Sequence, residues 1–279
     1  MNSYSVLINT CDKFEDCWDP FFKLWTIYWP ECKGKLYLNT EYKDYSYPGL
    51  NITSVKGCEG KTFKGKYATW SQCLRWALEQ IDTDIVLYMQ EDYFLKDRVK
   101  NDIVEEYVNL MEEHSEIKCI HLTDQAVESN GASDYNNLNI VSANQRYRVS
   151  CQAALWRKEE MLDIIRDYES AWQFEEYGSQ RSAIMNRLYL VVDSNWVILD
   201  KFEIIPYIFT GIIKGRWYEQ VVPLFQKHGI EVDFSKRGFE KDAPKKPLID
   251  KIKYHIHKIP CRIMNQIELY KLRKLYRYE

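Results

Sequence analysis

The chain has 279 residues, 46% hydrophobic and 28% charged, enough to bury a substantial core as one large domain or two small ones. No apolar run reaches membrane-spanning length and no stretch has the form of a signal peptide, which predicts a reducing, cytoplasmic setting. The net charge of −3 hides an asymmetry: from Lys241 onward eleven Lys/Arg face four Asp/Glu (+7), leaving −10 for residues 1–240. A basic end on an acidic body predicts an anionic surface as partner and gives no reason to expect a nucleic acid.

Ser3 to Thr10 is a short apolar strand, followed by a helical stripe of Trp18, Phe21, Phe22, Trp25, Tyr28 and Trp29 that Pro30 discourages from continuing. Lys35 to Asn39 alternates as a second strand, and Asn51 to Val55 is a candidate third. Trp70 to Ile81 is the cleanest helix, with Trp70, Cys73, Leu74, Ala77, Leu78 and Ile81 on one face. A strand over Ile85–Met89, a helix over Val99–Glu113 and a strand over Lys118–Thr123 come next. This β-α-β-β-α-β-α-β order predicts an α/β sandwich with a mostly parallel, mixed central sheet flanked by helices. Residues 124–146 read as a long polar loop, Tyr147 to Trp156 as a strand and Lys158 to Tyr168 as a helix. Trp172 to Ser182 is a turn entering another helix, and Tyr189 to Leu199 is again strand-like. Gly211 to Trp217 is a glycine-punctuated basic loop, and the helix after it ends at His228 with Gly229 as C-cap. There is no internal repeat.

In the tail, Ile252, Ile256 and Ile259 recur at helical spacing, and Ile267, Leu269-Tyr270, Leu272 and Leu275-Tyr276 alternate with Lys271, Arg273, Lys274 and Arg277. A basic amphipathic helix over 241–279 suits peripheral docking on an anionic membrane, or packing on the body.

The strand Ile85-Val86-Leu87-Tyr88-Met89 ends in two adjacent carboxylates, Glu91 and Asp92. Buried parallel strands read as apolar runs, and open α/β sheets bind ligands beyond the carboxyl ends of their strands. Carboxylates there are placed to hold a divalent metal that bridges a diphosphate; a strand running into a solvated acidic turn has the same pattern. The cysteines (11, 17, 32, 58, 73, 119, 151 and 261) form no Cys-x-x-Cys pair and no Cys/His metal spacing, so they read as small hydrophobes. His228, His255 and His257 show no metal spacing with Asp92. The 21 tyrosines and 9 tryptophans mostly fill the core, and the remainder suit stacking on bases and sugars.

The segments SVLINTCDKFE, KGKYATWSQCL, LYMQEDYFL, SCQAALWRKEEM and WQFEEYGSQRS, spread over residues 5–182, resemble a GT-A-type glycosyltransferase. More narrowly, they resemble bacterial enzymes of capsular or lipopolysaccharide biosynthesis. The resemblance implies a glycosyltransferase domain over 1–240, with a nucleotide-sugar donor half (1–123) and an acceptor half (124–240). It implies a UDP- or GDP-sugar donor, hexosyl or N-acetylhexosaminyl, and a glycan or lipid-linked acceptor. Thr10 and Asp12 then stand where the family contacts base and ribose. The family's usual Asp-x-Asp is here Gln90-Glu91-Asp92, so only Asp92 falls on the metal-contacting position. The resemblance therefore leaves two modes: Mn²⁺ or Mg²⁺ on Asp92, with Glu91 beside it, or metal-independent neutralisation of the diphosphate by Lys66, Lys214 and Arg216.

Inverting transfer needs a base for the acceptor hydroxyl. A carboxylate at a helix start beside aromatic residues suits that role, and Glu175 and Glu176 follow Trp172 and Phe174, resembling the acidic residue of inverting GT-A enzymes. Adjacent helical residues point about 100° apart, so only one faces the acceptor; Glu175 is preferred. First-turn glutamates also occur simply because the helix dipole favours them. Two other readings fit the chain: a sugar-1-phosphate nucleotidyltransferase, which would want a glycine-rich loop after the first strand, and a non-catalytic glycan-binding protein.

Overall fold

The computed structural model describes residues 3–276 other than 64, 66, 126, 130, 245–246, 248–255 and 257. Strand β1 (Tyr4–Asn9) is buried at every position, as a strand covered on both faces requires. It pairs in parallel with β2 (Lys35–Asn39) on one side and β4 (Ile85–Gln90) on the other. Beyond β2 lies the short parallel β3 (Ile52–Ser54). Helix α1 (Trp18–Tyr28) packs Trp18, Phe21, Phe22, Leu24 and Trp25 inward. Helix α2 (Trp70–Gln80) starts at a Thr69–Gln72 capping box, which satisfies two amides that a helix start otherwise leaves open. Helix α3 (Asn101–Glu113) leads into β5 (Ile117–His121).

The sheet has eight strands in the order β3-β2-β1-β4-β7-β5-β8-β6. Only β7 (Ala154–Arg157) and β6 (Leu138–Ile140) run against the others, so the mostly parallel mixed sheet expected from the sequence is what forms. Because β1, β2 and β4 are in register, Asn39, Asn9 and Gln90 end side by side on one edge. The antiparallel β7 begins at that edge, with Ala154 opposite Tyr88.

Four expectations need correction. The polar stretch 124–146 is not all loop: β6 forms within it and pairs with β8 (Leu188–Val192), too short a strand to show alternation. The strand expected over 147–156 is limited to β7. Upstream of it, the amides of Val149, Cys151 and Ala153 bond to Ser179 Oγ, Glu175 Oε1 and Tyr207 OH instead of to a neighbouring strand. Residues 172–182 hold no turn, since α5 (Ala171–Ile184) runs through all of them from a Ser170–Gln173 capping box. Gly178 admits the 149 segment: a Cβ there would meet Val149 at 3.4 Å. The basic loop 211–217 is a hairpin of β9 (Ile212–Ile213) and β10 (Arg216–Trp217), turning at Lys214 and Gly215 with φ +53° and +80°.

Helix α4 (Lys158–Ile164) follows β7, and α6 (Val221–Lys227) ends near Gly229, whose φ of +57° fits a C-cap. In the tail, α7 (Ile259–Leu275) packs on the body. Leu269 and Asn265 are buried, and Asn265 Oδ1 accepts from Arg181 Nη1 (2.9 Å), whose other arm pairs with the buried Glu169 (2.6 Å). Arg166 adds an ion pair to Glu268. The opposite face of α7 leaves Ile259, Ile263, Met264, Ile267 and Tyr270 exposed. Ile252, His255 and His257 lie outside the described residues. No described helix is long and apolar enough to cross a membrane.

Candidate active site

The carboxyl ends of β2, β1 and β4 carry a chain of neutral polar groups. Asn39 Nδ2 donates to Asn9 Oδ1 (2.7 Å), Asn9 Nδ2 to Tyr88 OH (3.1 Å), and Gln90 Nε2 to the same hydroxyl (3.2 Å). Gln90 thus bonds back onto the Tyr88 hydroxyl of its own strand, which Asn9 of β1 also reaches, an uncharged role at the position where a first carboxylate would stand.

Beyond Gln90 the two acids differ. Asp92 Oδ2 accepts from Thr210 Oγ1 (2.7 Å) and Ile212 N (3.0 Å), and the Asp92 carbonyl accepts from Gly211 N (2.9 Å). Burial pushes the Asp92 carboxyl above its ordinary range, and these donors pull it back down. Gly211 is required for this seat, because a Cβ on it would lie 2.9 Å from the Asp92 carbonyl oxygen and collide with the Phe94 ring. Glu91 is pushed well above the usual carboxylate range by burial and then by the charge of Asp92, with Arg237 opposing. Arg237 forms a two-pronged ion pair with Asp16 (2.6 and 2.5 Å) and lies 4.4 Å above the Phe14 ring. The sequence reading missed Arg237, since an arginine in an unpatterned loop 145 positions beyond Asp92 carries no local signal.

The other proposed donor-side residues are distributed around this edge. The Thr10 hydroxyl is buried and accepts from Trp18 Nε1 (2.9 Å). Both oxygens of Asp12 bind backbone amides, of Glu41 (2.9 Å) and Tyr42 (3.0 Å), so Asp12 joins the loops after β1 and β2. Lys214 is exposed at the hairpin tip, 3.4 Å from Glu240, while Arg216 donates to the Arg237 carbonyl (3.3 Å). The hairpin's root therefore reaches Asp92 and its basic tip faces the 237–240 segment. Lys66 lies outside the described residues.

Glu175 and Glu176 occupy the first half of α5. Glu175 turns inward: Oε1 accepts from Cys151 N (2.8 Å), and the Ser150 hydroxyl and Cys151 thiol also bond to the carboxylate. Burial raises its pKa above the ordinary glutamate value, and the three donors oppose the rise. Glu176 is exposed. Both line a cleft of about 1000 Å³ together with Trp172, Arg146, Tyr147 and Ser179. Trp172 is 69% exposed at its rim, an open aromatic face of the kind that stacks on sugars.

A buried network connects the two acidic positions. Tyr93, next to Asp92, donates to the Cys151 carbonyl (2.8 Å), and Cys151 donates its amide to Glu175. Gln152 bonds both Tyr93 OH (3.0 Å) and Tyr207 OH (2.9 Å), whose rings stack at 4.8 Å. The strand tip and the α5 carboxylate are thus parts of one hydrogen-bonded body.

No family model matches the chain, and no curated relative does. Among solved structures, it is similar to the 1–349 segment of S. aureus TarS in complex with UDP (14% identity, TM-score 0.46, 72% of this chain and 59% of that one). It is also similar to glucosyl-3-phosphoglycerate synthase from Mycobacterium tuberculosis in complex with Mn²⁺ and UDP-glucose (11%, 0.41, 82% and 80%). A third is a UDP-glucose pyrophosphorylase complexed with UDP-glucose (6%, 0.42, 69% and 90%). The chain spans about three fifths of the TarS segment. With every TM-score below 0.5, the functional reading rests on the site's own residues.

Proposed function

We propose that this chain is a GT-A-type glycosyltransferase that moves a sugar, with inversion, from a UDP- or GDP-sugar to a hydroxyl of a glycan or lipid-linked acceptor. The donor half is 1–123, the acceptor half 124–240, and the setting is the biosynthesis of capsular or lipopolysaccharide glycans. The observation that carries the reading is the pairing of Asp92, at the carboxyl end of β4, with Glu175 in the wall of a 1000 Å³ cleft, joined through Tyr93 and Cys151. Glu175 accepts the acceptor hydroxyl's proton. Its raised pKa brings its basicity nearer the working pH, and its bonds to the 150–151 segment fix its direction.

Asp92 would hold a divalent cation. A hard ion on Asp92 would take its remaining ligands from phosphate oxygens and water. When bound, that ion neutralises charge developing on the leaving diphosphate. The metal-independent mode would draw on Lys214 and Arg216, with Lys66 outside the described residues, while Arg237 is held by Asp16.

Against a nucleotidyltransferase, no glycine occurs between Met1 and Lys33, so β1 leads into no glycine-rich phosphate loop. Against a pure lectin stands the buried acidic strand tip, which a sugar-binding platform does not need. The α7 face is proposed to bring the enzyme to an anionic membrane bearing a lipid-linked acceptor. Calorimetry with UDP and GDP, in Mn²⁺ and in EDTA, tests the core of the reading. Saturable binding weakened by Asp92→Asn supports the metal mode, and binding indifferent to EDTA supports the cationic one. Binding of neither nucleotide under either condition rejects the enzyme.

A further inference from the structure

Away from Asp92 and Glu175, three elements converge on a second cluster. The ligand atoms of Glu41, after β2, Cys58, in the loop beyond β3, and Cys73, in α2, lie within 4.8 Å of one another. The spacing of the cysteines in the chain shows no metal pattern, yet the fold brings two of the eight together. Both thiols are buried and Glu41 is half-buried.

The backbone holds this cluster by itself. Cys58 N donates to the Glu41 carbonyl (3.0 Å), Gly57 N to the Thr40 carbonyl (2.9 Å), and Lys56 N to Thr40 Oγ1 (3.1 Å). Cys73 sits in the first turn of α2, its amide bonded to the Thr69 carbonyl (3.1 Å). Glu41 Oε2 accepts from Asp12 N (3.2 Å), leaving Oε1 toward other partners. The three side chains therefore need little rearrangement to share a ligand.

The sulfurs are 3.8 Å apart. A disulfide requires about 2.05 Å. Two thiolates at about 2.3 Å from one tetrahedral ion stand about 3.8 Å apart by geometry. The spacing is that of two thiols in S–H···S contact, too long for a disulfide and compatible with a shared cation.

We propose that Glu41, Cys58 and Cys73 form a site for a thiophilic divalent cation, with Zn²⁺ as the reference ion. A water completes the tetrahedron. Binding converts two S–H groups and one carboxylate to two metal thiolates and a metal carboxylate, releasing two protons to solvent. Metal affinity therefore rises with pH while both thiols are protonated in the free protein. The ion clamps α2 and the 56–61 loop to the end of β2, and through the Glu41–Asp12 bonds to the loop after β1. Its softness separates it from the oxygen-seeking cation proposed at Asp92, and it does not depend on the glycosyltransferase reading.

The test uses the full chain, reduced and stripped with chelator, titrated with Co²⁺ and then Zn²⁺. The expected result is a thiolate-to-cobalt charge-transfer band saturating at one equivalent, abolished by Zn²⁺ and accompanied by a rise in Tm. Cys58→Ser/Cys73→Ser should eliminate the band, Glu41→Gln should weaken Co²⁺ at least tenfold with the band retained, and Cys261→Ser should leave it unchanged. Should the double variant not fold, iodoacetamide labelling of the wild-type chain decides: Zn²⁺ protection of Cys58 and Cys73 supports the site, and equal labelling with and without Zn²⁺ overturns it. Absence of the band in the wild type, its persistence in a folded double variant, or a Cys58–Cys73 disulfide with no metal uptake would each overturn it as well.

Discussion

Asp92 is buried and Glu175 half-buried in a cleft wall; both are raised in pKa by burial and both bond to backbone amides, yet they are held in opposite ways. The partners of Asp92 come from Thr210 and Ile212, more than a hundred residues downstream, while Glu175 holds a segment that would otherwise be a strand. Asp92 is gripped by the hairpin; Glu175 does the gripping. A group that must stay ionised beside a diphosphate gains from donors that favour its charge, whereas a base gains from a pKa drawn toward neutrality.

The largest effect should come from the base. Glu175→Gln should lower kcat by about 10²–10⁴-fold while nucleotide affinity stays near wild type, because the amide can still accept from Cys151 N. Glu176→Gln, on the exposed side of the helix, should leave kcat near normal in the same steady-state assay. If both variants remain active, the proton acceptor lies elsewhere in the cleft. Since the wild-type Glu175 must be ionised and its pKa is raised, the acid limb of the kcat profile should lie above the ordinary glutamate value of about 4.3.

Next is Gly211→Val, which drives a side chain against the Asp92 carbonyl and Phe94. Overpacking of this kind costs about 1–3 kcal/mol, measurable by urea denaturation. Nucleoside diphosphate binding should fall further than stability does, because the hairpin root is the seat of Asp92. A loss of stability with binding intact would separate the hairpin from the donor site.

A smaller change should follow Thr210→Val, which removes one donor from Asp92 and keeps the shape. With less support for the charged form, the Asp92 pKa rises, so the acid limb of Mn²⁺-dependent nucleotide binding should move to higher pH. Binding at pH 8 should change little. An unshifted limb would show that Asp92 does not govern that titration.

The smallest effect on the body should come from Ile263→Ser/Ile267→Ser on the exposed face of α7. Tm should be nearly unchanged, and co-sedimentation with anionic vesicles should drop. Equal sedimentation would remove the membrane from the reading. Point substitution is the cleaner probe here, since deleting α7 would strip Asn265 and Glu268 from the buried Arg181.

Much of this organisation was legible in the chain. The Trp18 stripe and the Trp70 helix follow from periodicity, because each buries one continuous face, and Lys35–Asn39 forms the expected strand although both of its faces are covered. The acidic end of β4 was visible for the same reason, as an apolar run with an abrupt stop. What escaped depends on partners far apart in sequence. Residues 147–153 have strand composition, but their amides are claimed by Ser179, Glu175 and Tyr207. Gly211 reads as punctuation because a glycine that admits a neighbour looks, in one dimension, like a glycine that turns the chain. Arg237 and the Cys58–Cys73 contact are likewise products of tertiary packing, with no spacing to announce them.

The hairpin's hold on Asp92 also bears on how the protein is made. β1, β2 and β4 emerge from the ribosome early and contain the acidic tip, but its donors at 210–212 and the arginine at 237 follow more than a hundred residues later. With N-terminal regions free to fold first during synthesis, a nascent chain ending before residue 210 would carry a sheet with an uncapped, electrostatically unsettled edge. On the proposed reading, competence for the donor is acquired late in translation, when the last quarter of the polypeptide closes back over the first third.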